Sequence, residues 1–260
     1  MLRRTVLAAS LIALAAPAAR ADRTIGEVQE CVRRNLPERS ARQEILLEST
    51  DAAGAAQRLE AELLWRRTEG DRSQVRIVVE APPDLRGSAF LLLERDGGVD
   101  LFSYLPELRT VRRLSGRAIS GSLFGTDFSY EDIQRIQGTV ASMGAVELSA
   151  GEVDGRAVDV LAAAIPPESG SAYTRVVTYV DRETCVPLRT DLEARPGEPS
   201  KEVRARFDEV KQVGAHWVPH QVTIEDKDAG RSTKLTVRKI DLDVDLPQSE
   251  FSQAALTKGR

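Results

Sequence analysis

The 260-residue chain is poor in aromatic side chains, at 5%, and holds only two histidines and two cysteines. It has no excess of positive charge either: its formal net charge is −4. Each shortage removes a class of function. A nucleic-acid partner calls for basic clusters and a basic balance, which this composition does not supply. The histidines, His216 and His220, stand in the string HWVPH. On a strand such positions share a face but lie about 13 Å apart, too far to ligate one ion. Asp241, Asp243 and Asp245 alternate in DLDVD without the glycine and distal glutamate of a calcium loop, and read as the solvent face of a strand end. No G-x-S-x-G, P-loop or dinucleotide fingerprint occurs. The chain therefore reads as a binding protein with no cofactor rather than an enzyme. Long apolar runs are also missing: beyond residue 16 no stretch could span a bilayer.

The one apolar run is at the start. Arg3 and Arg4 precede the run Val6 to Ala16, and Ala19-Arg20-Ala21 is a small-x-small cleavage site. Residues 1–21 are expected to be a signal peptide, since the run is shorter than the roughly 20 residues of a membrane helix. No cysteine sits at the cleavage point, so lipid modification there is not expected. Losing Arg3, Arg4 and Arg20 would take the charge from −4 to −7. Residues 22–260 contain no linker, repeat or low-complexity tract, and read as one domain. In an exported protein Cys31 and Cys185 are expected to pair, the alternative being two separate buried thiols.

Asp22 to Leu36 has helical spacing (Ile25, Val28, Cys31, Leu36) and stops at Pro37. From Ser40 onward alternation takes over. Leu59, Ala61, Leu63 and Trp65 point one way on a second strand, and Val75, Ile77 and Val79 on a third. Pro82-Pro83 ends the third strand. Gly97-Gly98 and Asp154-Gly155 are hairpin turns. Lys201 to Val213 and His216 to Asp226 read as two long strands joined at Gly214, and Gln248 to Leu256 as a terminal helix. The count is about ten or eleven strands at hairpin spacing, a mainly β (α+β) antiparallel protein. So many strands should curl, and the aliphatic interior suits either a filled core or a ligand cavity.

One stretch breaks the alternation. After Thr110 to Leu114 come small residues (Gly116, Ser120, Gly121, Ser122, Gly125) carrying Leu123, Phe124 and Phe128. Bulky apolar side chains on such a loop must be buried or wait for a ligand. They either plug the open end of the sheet as core or form a lid. Ser129-Tyr130-Glu131-Asp132 then reads as the cap and first turn of a short helix. Arg112 and Arg113 are either a solvated strand face or a contact for a phosphate head group or an acidic partner.

The strings YLPELRTVRRLSGR and GSLFGTDFSYEDI, with PPDLRGSAFLLLE and YVDRETCVPLR, resemble the outer-membrane lipoprotein-sorting protein family, the LolA/LolB-like periplasmic lipid carriers. The resemblance implies a single strongly curved antiparallel sheet, an open half-barrel with short helices as a lid. It implies a periplasmic carrier that binds lipid or lipoprotein acyl chains on the concave face for transfer toward the outer membrane. The candidate lipid-binding residues are then Leu63, Trp65, Ile77, Val79, Leu92, Phe102, Leu123, Phe124 and Phe128, with Arg112 and Arg113 at the head group or a partner. The alternative reading is an accessory subunit of an inner-membrane RND-type lipid exporter, acting through protein contact.

Overall fold

The computed structural model describes residues 22–258 apart from 71, 97 and 137–144. The expected signal peptide, and parts of the Gly70-Asp71 and Gly97-Gly98 turns, lie outside the described residues. Helix α1 (Ile25–Arg33) begins in a reciprocal capping box: Thr24 Oγ1 accepts from the Glu27 N–H, and the Glu27 carboxylate accepts from the Thr24 N–H. Cys31 on α1 is disulfide-bonded to Cys185, 154 positions away, so the expected pairing is present.

Among the described residues alternation then builds fifteen strands. The first six are β1 (Ser40–Thr50), β2 (Ala56–Thr68), β3 (Arg72–Ala81), β4 (Ala89–Arg95), β5 (Gly98–Leu105) and β6 (Thr110–Leu114). After a central segment and helix α2 (Tyr130–Ile136) come β7 (Val146–Val153), β8 (Arg156–Ala164), β9 (Arg175–Asp181), β10 (Pro187–Arg195) and β11 (Glu198–Ala205). A side hairpin, β12 (Val210–Val213) and β13 (His216–Pro219), precedes β14 (Gln221–Asp226) and β15 (Arg231–Leu242). Thirteen of these strands form one antiparallel sheet in the order β6-β5-β4-β3-β2-β1-β15-β14-β11-β10-β9-β8-β7. Two meanders therefore meet where β1 pairs with β15, and the sheet stays open, with β6 and β7 as its edges.

The strand count exceeds the ten or eleven expected, and two of the additional strands have a local cause. Each long run read near the C-terminus breaks in two. A 3-10 turn at Phe207–Glu209 divides the first, and Pro219, which has no N–H to donate, ends β13 in the second. The freed hairpin packs Val210 and Trp217 on Val153, Val158, Val186 and Leu188. The terminal helix likewise splits into a 3-10 turn (Gln248–Phe251) and helix α3 (Gln253–Leu256), because Ser252 is extended and caps the second piece. The Asp154-Gly155 turn is as expected, with both residues at positive φ (49° and 79°), the I′ geometry that suits the strand twist.

One apolar cluster marks the inside of the half-barrel. It takes Ile45 and Leu47 from β1, Leu63 and Trp65 from β2, Ile77 and Val79 from β3, and Phe90 and Leu92 from β4. From the other meander it takes Val176, Leu192, Val203, Ile224 and Val237. A flat sheet could not bring strands so far apart in order into one cluster, so the sheet wraps. The opposite face is not simply wet. Leu246, Phe251 and Leu256 of the C-terminal segment cover Leu64, Leu91, Leu93 and Phe102. Phe102 is thus on the outer side, a correction to its expected place in the lining. On β5 it alternates with Leu101, and it is Leu101 that faces inward.

Candidate functional site

The candidate site is the inner face of the sheet and the central segment that crosses it. Of the nine lining residues expected, eight share the inner cluster: Leu63, Trp65, Ile77, Val79, Leu92, Leu123, Phe124 and Phe128. The last three do not wait open. Leu123 and Phe128 are 2% exposed and Phe124 8%, so the segment fills the concavity as a plug. Ile133 of α2 is buried in the same cluster, and the Tyr130 ring stands 5.2 Å from that of Phe90.

The segment is a small built structure rather than a slack loop. Ser122 and Ser129 bridge, the Leu123 N–H donates to Phe128 O at 2.7 Å, and Thr126 Oγ1 donates to Leu123 O at 2.7 Å. Phe124 (φ 53°) and Gly125 (φ 82°) form its tip. A bulky residue held in that left-handed region is strained by about 1–3 kcal/mol and persists only where its surroundings impose it. Next to it Gly125 takes the same sign of φ freely, and a side chain there would press on the Gln57 amide at 3.3 Å. Ser129 caps α2: its Oγ accepts from the Asp132 N–H at 3.0 Å while Asp132 Oδ2 accepts from the Ser129 N–H at 2.7 Å.

Two kinds of contact hold the plug. Leu123, Phe124, Phe128 and Ile133 join the inner apolar cluster. The acids of GTDFSYED instead reach the β9–β15 half through a buried polar latch. Lys201 Nζ donates to Asp127 O at 2.7 Å and to Asp132 Oδ2 at 2.8 Å. The Tyr173 hydroxyl donates to Asp132 Oδ1 at 2.7 Å. Thr233 Oγ1 donates to Asp127 Oδ2 at 2.8 Å, and Arg231 pairs with Asp127 Oδ1 at 3.1 Å. Glu131 accepts from Ser171 Oγ and from the Ala172 N–H. Burial and then the Asp132 charge push the Tyr173 hydroxyl far above its usual titration range, so it remains a donor. A depression of about 490 Å³ opens beside this latch, lined by Asp127, Tyr173, Lys201 and Arg231 among others.

Reading the sequence alone missed the latch. The local signal was three acids in a short stretch between aromatic residues, which looked like ordinary helix-start chemistry. Their partners, Tyr173, Lys201 and Thr233, lie more than forty positions away in sequence and carry no motif. A second feature was not visible either: the Trp65 indole N–H is buried at the inner face without a hydrogen-bond partner among the described residues. Leaving such a donor unpaired costs about 1–3 kcal/mol.

Arg112 and Arg113 are exposed on edge strand β6 and point to opposite faces. Arg113 lies opposite Phe102 and pairs with Asp100 on the outer side; Arg112 lies opposite Ser103. His216 Nδ1 contacts Arg34 O at 2.9 Å and His220 Nδ1 contacts Val218 O at 3.1 Å, so each ring is engaged by backbone. Asp243 is not a plain solvent-face residue. At φ 52° it turns its carboxylate back to accept the Arg39 N–H at 2.7 Å, fixing the start of β1.

A family model described as uncharacterized-protein-like matches residues 71–258. No curated protein matches the chain. Among solved structures, a domain from Vibrio parahaemolyticus described as outer membrane lipoprotein-sorting superposes with a TM-score of 0.78 at 24% identity, over 89% of this chain and 97% of that one. A DUF1329 family protein from Desulfovibrio piger gives 0.79 at 22% identity over 89% and 98%. A LolA superfamily protein from Nitrosomonas europaea gives 0.70 at 20% identity over 89% and 99%.

Proposed function

This chain belongs to the family whose model spans residues 71–258 and has the fold of a LolA superfamily protein, and from that premise we propose that it carries acyl chains on the inner face of its half-barrel. The observation that carries the proposal is the composition of the inner cluster. Side chains from both meanders and from segment 122–133 share one continuous apolar surface. The segment covers that surface. An acyl chain then competes with Leu123, Phe124 and Phe128 for the same contacts, each worth about 1.5–3 kcal/mol when buried. The strained tip at Phe124 and the polar latch give the segment a second place to be held or released.

The cargo class is a lipid or the acyl chains of a lipoprotein, carried through the periplasm toward the outer membrane after removal of residues 1–21. The unpaired Trp65 N–H supplies one donor at the apolar surface, suited to an ester or amide carbonyl at the head of an acyl chain. The reading as an RND-exporter accessory has no observation of its own in its favour. Native mass spectrometry of the chain exported by a Gram-negative host tests the carrier reading. The expected species begins at Asp22 and carries adducts of lipid mass that dissociate on activation. A ligand-free species that also takes up no fatty acid or lysophospholipid on titration would sink the proposal.

A further inference from the structure

Among the described residues only three large apolar side chains are exposed: Leu105, Leu108 and Phe207. Phe207 is covered from one side by the Arg156 guanidinium, 3.4 Å from its ring. Leu105 and Leu108, 39% and 44% exposed, share one feature, the turn between β5 and β6. That turn is a formed structure: the Leu108 N–H donates to Leu105 O at 3.0 Å, and Pro106 rests 3.5 Å from where a Gly87 side chain would begin. The stretch 105–117 carries Arg109, Arg112, Arg113 and Arg117 against Glu107 alone, in a chain whose net charge is −4. Arg113 is paired with Asp100, while Arg109, Arg112 and Arg117 have no carboxylate partner among the described residues.

We infer that the β5–β6 hairpin is a membrane-docking element, its two leucines entering the interface of an anionic phospholipid bilayer and its arginines lying on the phosphates. The shape favours a bilayer over a protein. The exposed apolar residues are two side chains of one turn, and the arginines spread over both faces of an edge strand. A standard protein interface needs roughly 800 Å² of complementary surface on each partner, whereas a bilayer interface accepts a protruding apolar point ringed by cations. The hairpin leads through β6 directly into the central segment, so docking there would set the inner face beside the membrane. The inference is independent of the carrier reading, because vesicle binding and acyl-chain uptake are separate measurements on separate residues.

The test is flotation of the full chain with vesicles of phosphatidylcholine, with and without phosphatidylglycerol, at low and high salt. The expected result is binding to the anionic vesicles only, weakened by salt. Replacing Arg109 and Arg112 by Gln should each lower affinity roughly fivefold. Leu105→Ser with Leu108→Ser should lower it roughly tenfold. All four side chains are exposed, so melting temperatures should not move. As a second readout, an environment-sensitive dye on Leu108→Cys should shift to the blue with anionic vesicles. Absence of vesicle binding, equal binding to neutral vesicles, or binding that survives these substitutions would overturn the inference. Binding to a membrane protein that persists in Leu105→Ser/Leu108→Ser without vesicle binding would do so as well.

Discussion

Lys201→Met attacks the plug from its polar side. Lys201 Nζ contacts Asp127 O and Asp132 Oδ2, and the Asp132 side chain is 0% exposed. Methionine keeps the length of the stem but leaves Asp132 buried with only the Tyr173 hydroxyl and the Ser129 N–H. Breaking a buried pair in this way costs about 3–5 kcal/mol. If segment 122–133 opens as a unit, global stability falls only until the open form becomes the ground state, and the remainder appears as population of that form. A ligand that binds only the open form then gains the affinity that closure had suppressed. At about 1.4 kcal/mol per tenfold, the ceiling is on the order of a hundredfold or more. Titration of a fluorescent fatty acid reads the gain, with the β-sheet circular dichroism spectrum unchanged. Adding Asp132→Asn removes the stranded charge and should return much of the loss, a coupling that a double-mutant cycle measures. If Lys201→Met costs its full 3–5 kcal/mol in one cooperative transition and leaves affinity unchanged, the segment is ordinary core.

Other perturbations read the same architecture. Trp65→Phe removes an unpaired buried N–H. It should leave stability equal or slightly higher in chemical denaturation while weakening the binding of acyl esters more than that of hydrocarbons; an equal effect on both would remove Trp65 from head-end recognition. Cys31→Ser with Cys185→Ser opens a 154-residue loop. It should cost up to about 5 kcal/mol in the chain-entropy model, read from the urea midpoint, and a shift near zero would show that α1 is held without it. Burial pushes the Asp181 carboxyl up, but Arg156 and Thr184 more than offset this and hold it below its ordinary value of 3.8. A depressed folded value gives stability that is present above 3.8 and lost as pH falls through it. The stability difference between the native chain and Arg156→Gln should therefore narrow below that pH, and a constant difference would contradict the assignment. For Tyr173 the sign reverses: its raised folded value gives stability present below 10.0 and lost as pH rises beyond it, which Tyr173→Phe should abolish.

Period-two alternation located nearly every strand, because a sheet with one continuous apolar side writes that side into every second residue, as in Leu59, Ala61, Leu63 and Trp65. The places where it failed have local causes. Val210 to Val218 lies within two runs read as continuous strands but serves a different cluster, because the 3-10 turn and Pro219 detach it. Phe102 was placed inside, and only the C-terminal segment, far away in sequence, reveals that the outer face of β4 and β5 is buried too. The plug was legible as an anomaly, bulky residues on a small-residue loop. Its latch was not, since Lys201, Tyr173 and Thr233 acquire meaning only when the two meanders close around Asp127 and Asp132.

The central claim is that an acyl ligand and segment 122–133 occupy one surface in turn. Hydrogen–deuterium exchange of the full chain, with and without a saturating lysophospholipid, addresses it directly. The account predicts that ligand accelerates exchange at amides closed in the plug, such as those of Leu123 and Tyr130, which donate to Phe128 O and Gly121 O. Protection across β1–β4 should hold or increase. Ligand bound with those amides as protected as before, or more so, would contradict it.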